Sequence, residues 1–216
     1  MQVENTGQIQ LTQDFGKWIS RYAKDERFSR YLEIGTWNGR GSTCCFYDGF
    51  MKRTTDYSLQ SYETSPIRVQ EARTLWKHVP EIQILHARVL QNHECPLYDR
   101  VKELFPKLAV SWHTEDVQNF WSCTYVPANS PEVVLLDGGE YLTYFEFEAM
   151  KPMDSIRVFL LDDVHTDKCS AIFTYLQNHP DWTLSVKGED RNGWAVFEKL
   201  SVPSEQTLET DIHLEQ

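Results

Sequence analysis

The sequence predicts an α/β protein: a doubly wound, mostly parallel sheet closed by a C-terminal antiparallel hairpin. Three observations carry this. A short apolar strand runs into a glycine-rich turn and a helix start over residues 31–43. Two continuous apolar runs, 132–139 and 156–163, read as central parallel strands covered on both faces. Near the C-terminus, segments 182–187 and 194–199 flank Asn192-Gly193, a strong hairpin signal.

The bounds agree with one domain. The 216 residues suffice for a single α/β domain with a full core, with 41% hydrophobic and 25% charged residues. A net charge of −11 argues against a nucleic-acid backbone or an anionic membrane as the main partner. No apolar run approaches the roughly 18 residues that span a bilayer, and the polar first ten residues lack a signal-peptide core. Five scattered cysteines without C-x-x-C spacing read as reduced, mostly buried thiols of a cytoplasmic protein.

In chain order, residues 1–30 form an N-terminal segment whose apolar residues from Leu11 recur near every 3.6 positions, a helix packed beside the first strand. The domain proper is expected over 31–200. Its first strand, 31–35, leads through the glycine turn into a helix over 41–50 whose Cys44, Cys45 and Phe46 face the sheet. Residues 58–64 alternate as a second strand ending on Glu63. Pro66 opens a helix running to about His78, closed by Pro80. Residues 82–89 form a third strand.

The stretch 91–131 is too long for a bare loop, so it reads as an insertion with helices at 98–108 and 115–121. Its aromatic-rich part, 112–121, suits a substrate wall, and core packing of Trp112, Phe120 and Trp121 suits it equally. After the strand at 132–139 a helix covers 141–150. Another, 168–178, follows the strand at 156–163 and is stopped by Pro180. Residues 201–216 read as a loose acidic tail. A homodimer and one module of a larger polypeptide both stay open.

Ligands of open parallel sheets bind beyond the C-terminal strand ends, and here four strands end on acids: Glu33, Glu63, Asp137 and the pair Asp162/Asp163. The glycine turn reads E-x-G-x-x-x-G-x-G from Glu33 to Gly41, not the G-x-G-x-x-G that seats a pyrophosphate. A carboxylate at the strand end repels a pyrophosphate and suits a ligand carrying an ammonium or sulfonium group. A nicotinamide-dependent oxidoreductase is therefore disfavoured.

This turn resembles motif I of the class I S-adenosylmethionine-dependent methyltransferases, and the resemblance covers about residues 30–199. It implies a Rossmann-like, seven-stranded sheet and S-adenosylmethionine as cofactor. Glu33, Gly35, Thr36, Asn38, Gly39 and Ser42 match the turn that holds the methionine part, Glu63 matches the ribose-binding acid, and Arg88 lies at the adenine edge. The late acids look like those of the metal-dependent O-methyltransferases, of the catechol type and the type that methylates sugars of natural products. There Asp137, Asp162 and Asp163 would hold a divalent ion, Mg²⁺ above all, that activates an acceptor hydroxyl.

The sugar-methylating type resembles Asp-Gly-Asp after the fourth strand, where this chain has Asp137-Gly-Gly-Glu140. The general base then falls to Glu140, or to His165 just past the acid pair. Alternatively the metal chemistry is absent and Asp137 contacts the cofactor ammonium. The resemblance implies O-methylation of a small molecule or a sugar or glycan hydroxyl. A non-catalytic module that binds the cofactor is the competing reading.

Overall fold

Why the first strand sits at the centre is visible in its residues. β1 (Arg30–Ile34) is buried from Tyr31 onward, and it pairs in parallel with β2 (Ser58–Glu63) on one side and β5 (Val133–Leu136) on the other. A computed structural model describes residues 8–200 and supplies this frame. Residues 1–7 of the expected N-terminal segment and the expected acidic tail at 201–216 lie outside the described residues.

Among the described residues the sheet has eight strands in the order β4-β3-β2-β1-β5-β6-β8-β7. β3 (Ile82–Arg88) adds in parallel to β2, and β6 (Val158–Asp162) to β5. β7 (Trp182–Gly188) and β8 (Trp194–Lys199) form the antiparallel hairpin, with β8 laid against β6. The expected seven strands become eight because β4 (Thr124–Tyr125), two residues of the insertion, pairs in parallel with the end of β3.

Side chains alternate between two helical layers, as the pleat requires. Tyr31, Leu59, Val133, Leu135 and Leu160 face one core, shared with α1 (Asp14–Lys24), α2 (Ser42–Phe50) and α3 (Pro66–Trp76). Leu32, Ile34, Val134, Leu136 and Leu161 face the other, shared with α6 (Leu142–Met150) and α7 (Ser170–Asn178). The β5 run Val133–Leu136 is fully buried on both faces, which is why it reads as unbroken apolar sequence. α1 joins this body through Phe15, stacked on Trp194 with ring centroids 5.2 Å apart.

The insertion carries a short 3-10 turn (Asn92–Glu94) followed by α4 (Tyr98–Leu104) and α5 (Val110–Ser122). α4 stops four residues before the expected end, just ahead of Phe105-Pro106, because proline's missing N–H and ring disfavour a continuing helix. Val101, Phe105 and Phe120 pack on Tyr141, Leu142 and Phe145 of the α6 region, forming a third, smaller core. Phe120 is thus core, whereas Trp112 and Trp121 are exposed. In α2, Cys45 and Phe46 are buried as expected, but Cys44 is half-buried and its thiol donates to the Gly39 carbonyl at 3.5 Å. All five cysteines are free thiols. Among the described residues no helix is long and apolar enough to cross a membrane.

Candidate active site

A cleft of about 420 Å³ opens where β1, β2, β3, β5 and β6 end, at the edge where ligands of open parallel sheets bind. Gly35, at the floor, has φ +89°, and a Cβ there would lie 2.0 Å from the Asp137 carbonyl oxygen. Only glycine permits β1 and β5 to end so close together. Trp37, Asp163 and Arg191 also line the cleft, and all three are non-glycine residues with positive φ, 52°, 57° and 61°. Backbone strain of this kind persists only where surrounding contacts over-determine it, and it clusters at functional sites.

The glycine turn is built differently from the expectation. Glu33 is completely buried and does not line the cleft. Its carboxylate accepts hydrogen bonds from Ser42 Oγ at 2.6 Å and Thr43 Oγ1 at 2.8 Å, and from the Ser61 hydroxyl. Burial raises its pKa and these hydroxyls oppose the rise. Glu33 thus ties the first turn of α2 to β1 and β2 from beneath. Thr36 is buried, with its hydroxyl 2.7 Å from that of Thr43. Asn38 accepts from Gln8 Nε2 at 3.1 Å, and the Gly39 carbonyl accepts from Trp76 Nε1 at 2.8 Å. Of the motif residues Glu33, Gly35, Thr36, Asn38, Gly39 and Ser42, only Gly35 lines the cleft; the others hold the turn in shape.

Arg88 is corrected in the same way. β3 alternates, so Ala87 lines the cleft while Arg88 turns away, buried over the Phe120 ring at 4.0 Å. Arg88 Nη1 donates to the Cys123 carbonyl at 2.6 Å, and Nη2 donates to Asn92. The residue anchors the insertion and does not reach a ligand in the cleft.

Glu63 does line the cleft, at the end of β2. One carboxylate oxygen accepts from Trp37 N and the other from Ser65 N, both at 2.8 Å. Each oxygen keeps a further lone pair, so the group can still accept two hydroxyls. Two acids that the sequence reading missed stand nearby. Asp116 of α5 caps α6 by accepting from Tyr141 N at 2.7 Å and Leu142 N at 3.3 Å, and burial pushes it up to about 6. Glu146 of α6 is 3% exposed. Burial, with Asp116 and Glu63 nearby, pushes it up to about 8.

The opposite wall carries Asp137, Glu140 and Asp163, with Asp162 behind them. Oxygens of Asp137, Asp162 and Asp163 lie within 4.8 Å of one another. Cationic side chains already serve them. Lys168 donates to Asp137 Oδ1 at 2.9 Å and Asp163 Oδ2 at 2.7 Å. Arg191 donates to Asp162 Oδ1 at 3.3 Å and Oδ2 at 2.6 Å, and Asn192 to Asp163 Oδ1 at 3.0 Å. Burial lowers the Lys168 pKa, but the two carboxylates outweigh it and hold the ammonium charged, above the ordinary lysine value.

A divalent ion does not fit this arrangement. Mg²⁺ demands near-octahedral oxygen ligation at about 2.0–2.1 Å, and five of the six carboxylate oxygens already accept a hydrogen bond from Lys168, Arg191 or Asn192. An ion bridging Asp137 and Asp163 would have to share the place of the Lys168 ammonium.

His165 lies outside the cleft. Its ring is largely exposed, with Nε2 2.7 Å from Glu189 Oε2. Its backbone N–H donates to the Asn192 carbonyl, and the ring packs against Gly193. The residue fastens the β7–β8 turn that delivers Arg191. Glu140 is half-buried in the cleft, and burial raises its pKa while Lys168 and Thr166 oppose the rise.

The fold is a Rossmann-like α/β sheet with its cleft at the C-terminal strand ends. No protein-family model and no curated protein sequence matches the chain. Solved structures do match it. An O-methyltransferase from Bacillus cereus in complex with SAH superposes with a TM-score of 0.56 at 14% identity, over 91% of this chain and 84% of that one. SAH-bound methyltransferase PaMTH1 from Podospora anserina gives 0.54 at 14% identity, over 86% and 78%. A methyltransferase from Geobacter sulfurreducens gives 0.55 at 9% identity, over 91% and 83%.

Proposed function

We propose that this chain is an S-adenosylmethionine-dependent O-methyltransferase acting on a hydroxyl of a small molecule, with a sugar or glycan as the favoured acceptor class. The observation that carries this reading is the acidic cleft at the strand ends, with Glu63, Asp116 and Glu146 on one wall and Asp137, Glu140 and Asp163 on the other. A cationic sulfonium cofactor is attracted there and a pyrophosphate is repelled. In this reading Glu63 accepts both ribose hydroxyls. Neighbours of the same fold solved with SAH, the thioether left after methyl donation, support the same cofactor.

The reaction needs little from the protein beyond position and a base. The acceptor oxygen attacks the methyl carbon in line, the carbon–sulfur bond breaks, and its electron pair stays on sulfur. The hydroxyl proton passes to a base. Of the two candidates, His165 stands outside the cleft, so Glu140 is the base in this reading. Its raised pKa makes it a stronger base than an ordinary carboxylate. Trp112, 55% exposed and lining the mouth, offers an apolar face to a sugar or aromatic ring.

The test is a screen of sugar and phenol acceptors with labelled S-adenosylmethionine, repeated on Glu140→Gln. Turnover that falls about 10²- to 10⁴-fold in the variant, with cofactor affinity kept, supports the reading. Cofactor binding without turnover on any acceptor favours the non-catalytic module instead.

A further inference from the structure

We propose that Lys168 takes the place that a divalent ion holds in the metal-dependent O-methyltransferases, so that this site carries a fixed internal cation and takes no metal. The proposal rests on the methyl-transfer reading for its functional meaning, but its physical content is separate from it.

Lys168 is drawn from the loop just before α7, five residues after Asp163, and its side chain is 12% exposed. Its ammonium is clamped by Asp137 at the end of β5 and Asp163 just past β6, the two acids that an ion would have to bridge. Both sites would put one positive centre between the same carboxylates. The remaining acid of the triad, Asp162, is fully buried and fixed by the two-point contact with Arg191. Arg191 comes from the β7–β8 turn and holds φ +61°, a conformation that costs of order 1–3 kcal/mol and that the turn contacts must maintain.

Two internal cations beside three carboxylates leave a single net negative charge before any ligand enters. A metal-binding triad would leave three. The ammonium has three N–H donors and spends two on the acids, so the third is available to a group in the cleft, which Lys168 lines. An ammonium at this position stabilises charge developing on an acceptor oxygen, as the ion would, though as a weaker point charge.

The experiment uses the full chain and Mn²⁺ as the probe, followed by paramagnetic resonance of free Mn²⁺, with Lys168→Ala and the more conservative Lys168→Gln. The wild type is expected to bind no Mn²⁺ at millimolar concentration. At least one Lys168 variant is expected to gain a 1:1 site, with a Tm that rises on adding Mn²⁺ and a site that Asp163→Asn removes again. Stoichiometric Mn²⁺ binding by the wild type, abolished by Asp163→Asn, overturns the proposal. So does silence of both folded variants, since the position would then not be one that an ion can occupy. Titration of SAH in EDTA keeps the two readings apart: no SAH binding sinks the methyltransferase reading and leaves the metal result standing alone.

Discussion

The two walls of the cleft are made of the same residue types and solve opposite problems. On the wall of Asp137, Asp162 and Asp163, the acids are neutralised from within by Lys168 and Arg191. On the wall of Glu63, Asp116 and Glu146, the protein brings backbone N–H donors to the first two, while burial and then Asp116 and Glu63 raise Glu146. The paired wall is finished without a ligand. The other is an arrangement that a cationic or donor-rich ligand completes, because buried carboxylates without partners are costly. On the proposed reading, the second wall recognises the cofactor and the first carries the chemistry.

Removing the internal cation should break the comparison most severely. Lys168→Met leaves Asp137 and Asp163 facing each other, and breaking a buried pair from one side costs about 3–5 kcal/mol. Urea denaturation at neutral pH measures this, and a loss under 1 kcal/mol would mean that the pair is dispensable.

On the other wall the sign reverses. Glu146 holds its proton up to about 8 in the folded protein, against about 4.5 unfolded, under the influence of burial, Asp116 and Glu63, with Arg88 opposing. Its contribution is fully present below about pH 4.5 and is lost as pH rises to about 8. Glu146→Gln should therefore leave stability unchanged near pH 4 and raise it at pH 9 by up to roughly 5 kcal/mol. A variant equally stable at both pH values relative to wild type would contradict the unpaired wall.

Ligand effects should be smaller. Glu63→Gln keeps the shape and removes the charge, and a 10- to 100-fold weaker S-adenosylmethionine Kd, about 1.4–2.8 kcal/mol, is expected by calorimetry. Trp112→Ala should raise the acceptor KM several-fold while leaving cofactor Kd alone and stability within about 0.5 kcal/mol, as befits an exposed side chain.

Much of this architecture was legible in the chain. The runs ending at Asp137 and Asp162 are strands because both faces are covered, and that leaves an apolar run anyone can read. Glu63 follows from a strand end and a spacing. What failed was the direction of single side chains. Glu33 and Arg88 stand at strand ends, yet the alternation of the pleat and local partners turn them away from the cleft. Asp116 and Glu146 come from helices, one of them in the insertion, and no local pattern marks a helical acid that tertiary packing carries into a cleft. Lys168 stood in the sequence five residues past Asp163, and the signal was available in charge: three acids in one mouth need a cation, and the chain supplies its own.

The most direct test of the two-wall account is a calorimetric titration of S-adenosylmethionine into the protein in EDTA, beside an identical titration of NAD. The account predicts one S-adenosylmethionine site per chain, unaffected by EDTA and weakened by Glu63→Gln, with no heat from NAD. Binding of NAD but not S-adenosylmethionine, or S-adenosylmethionine binding indifferent to Glu63, would contradict it.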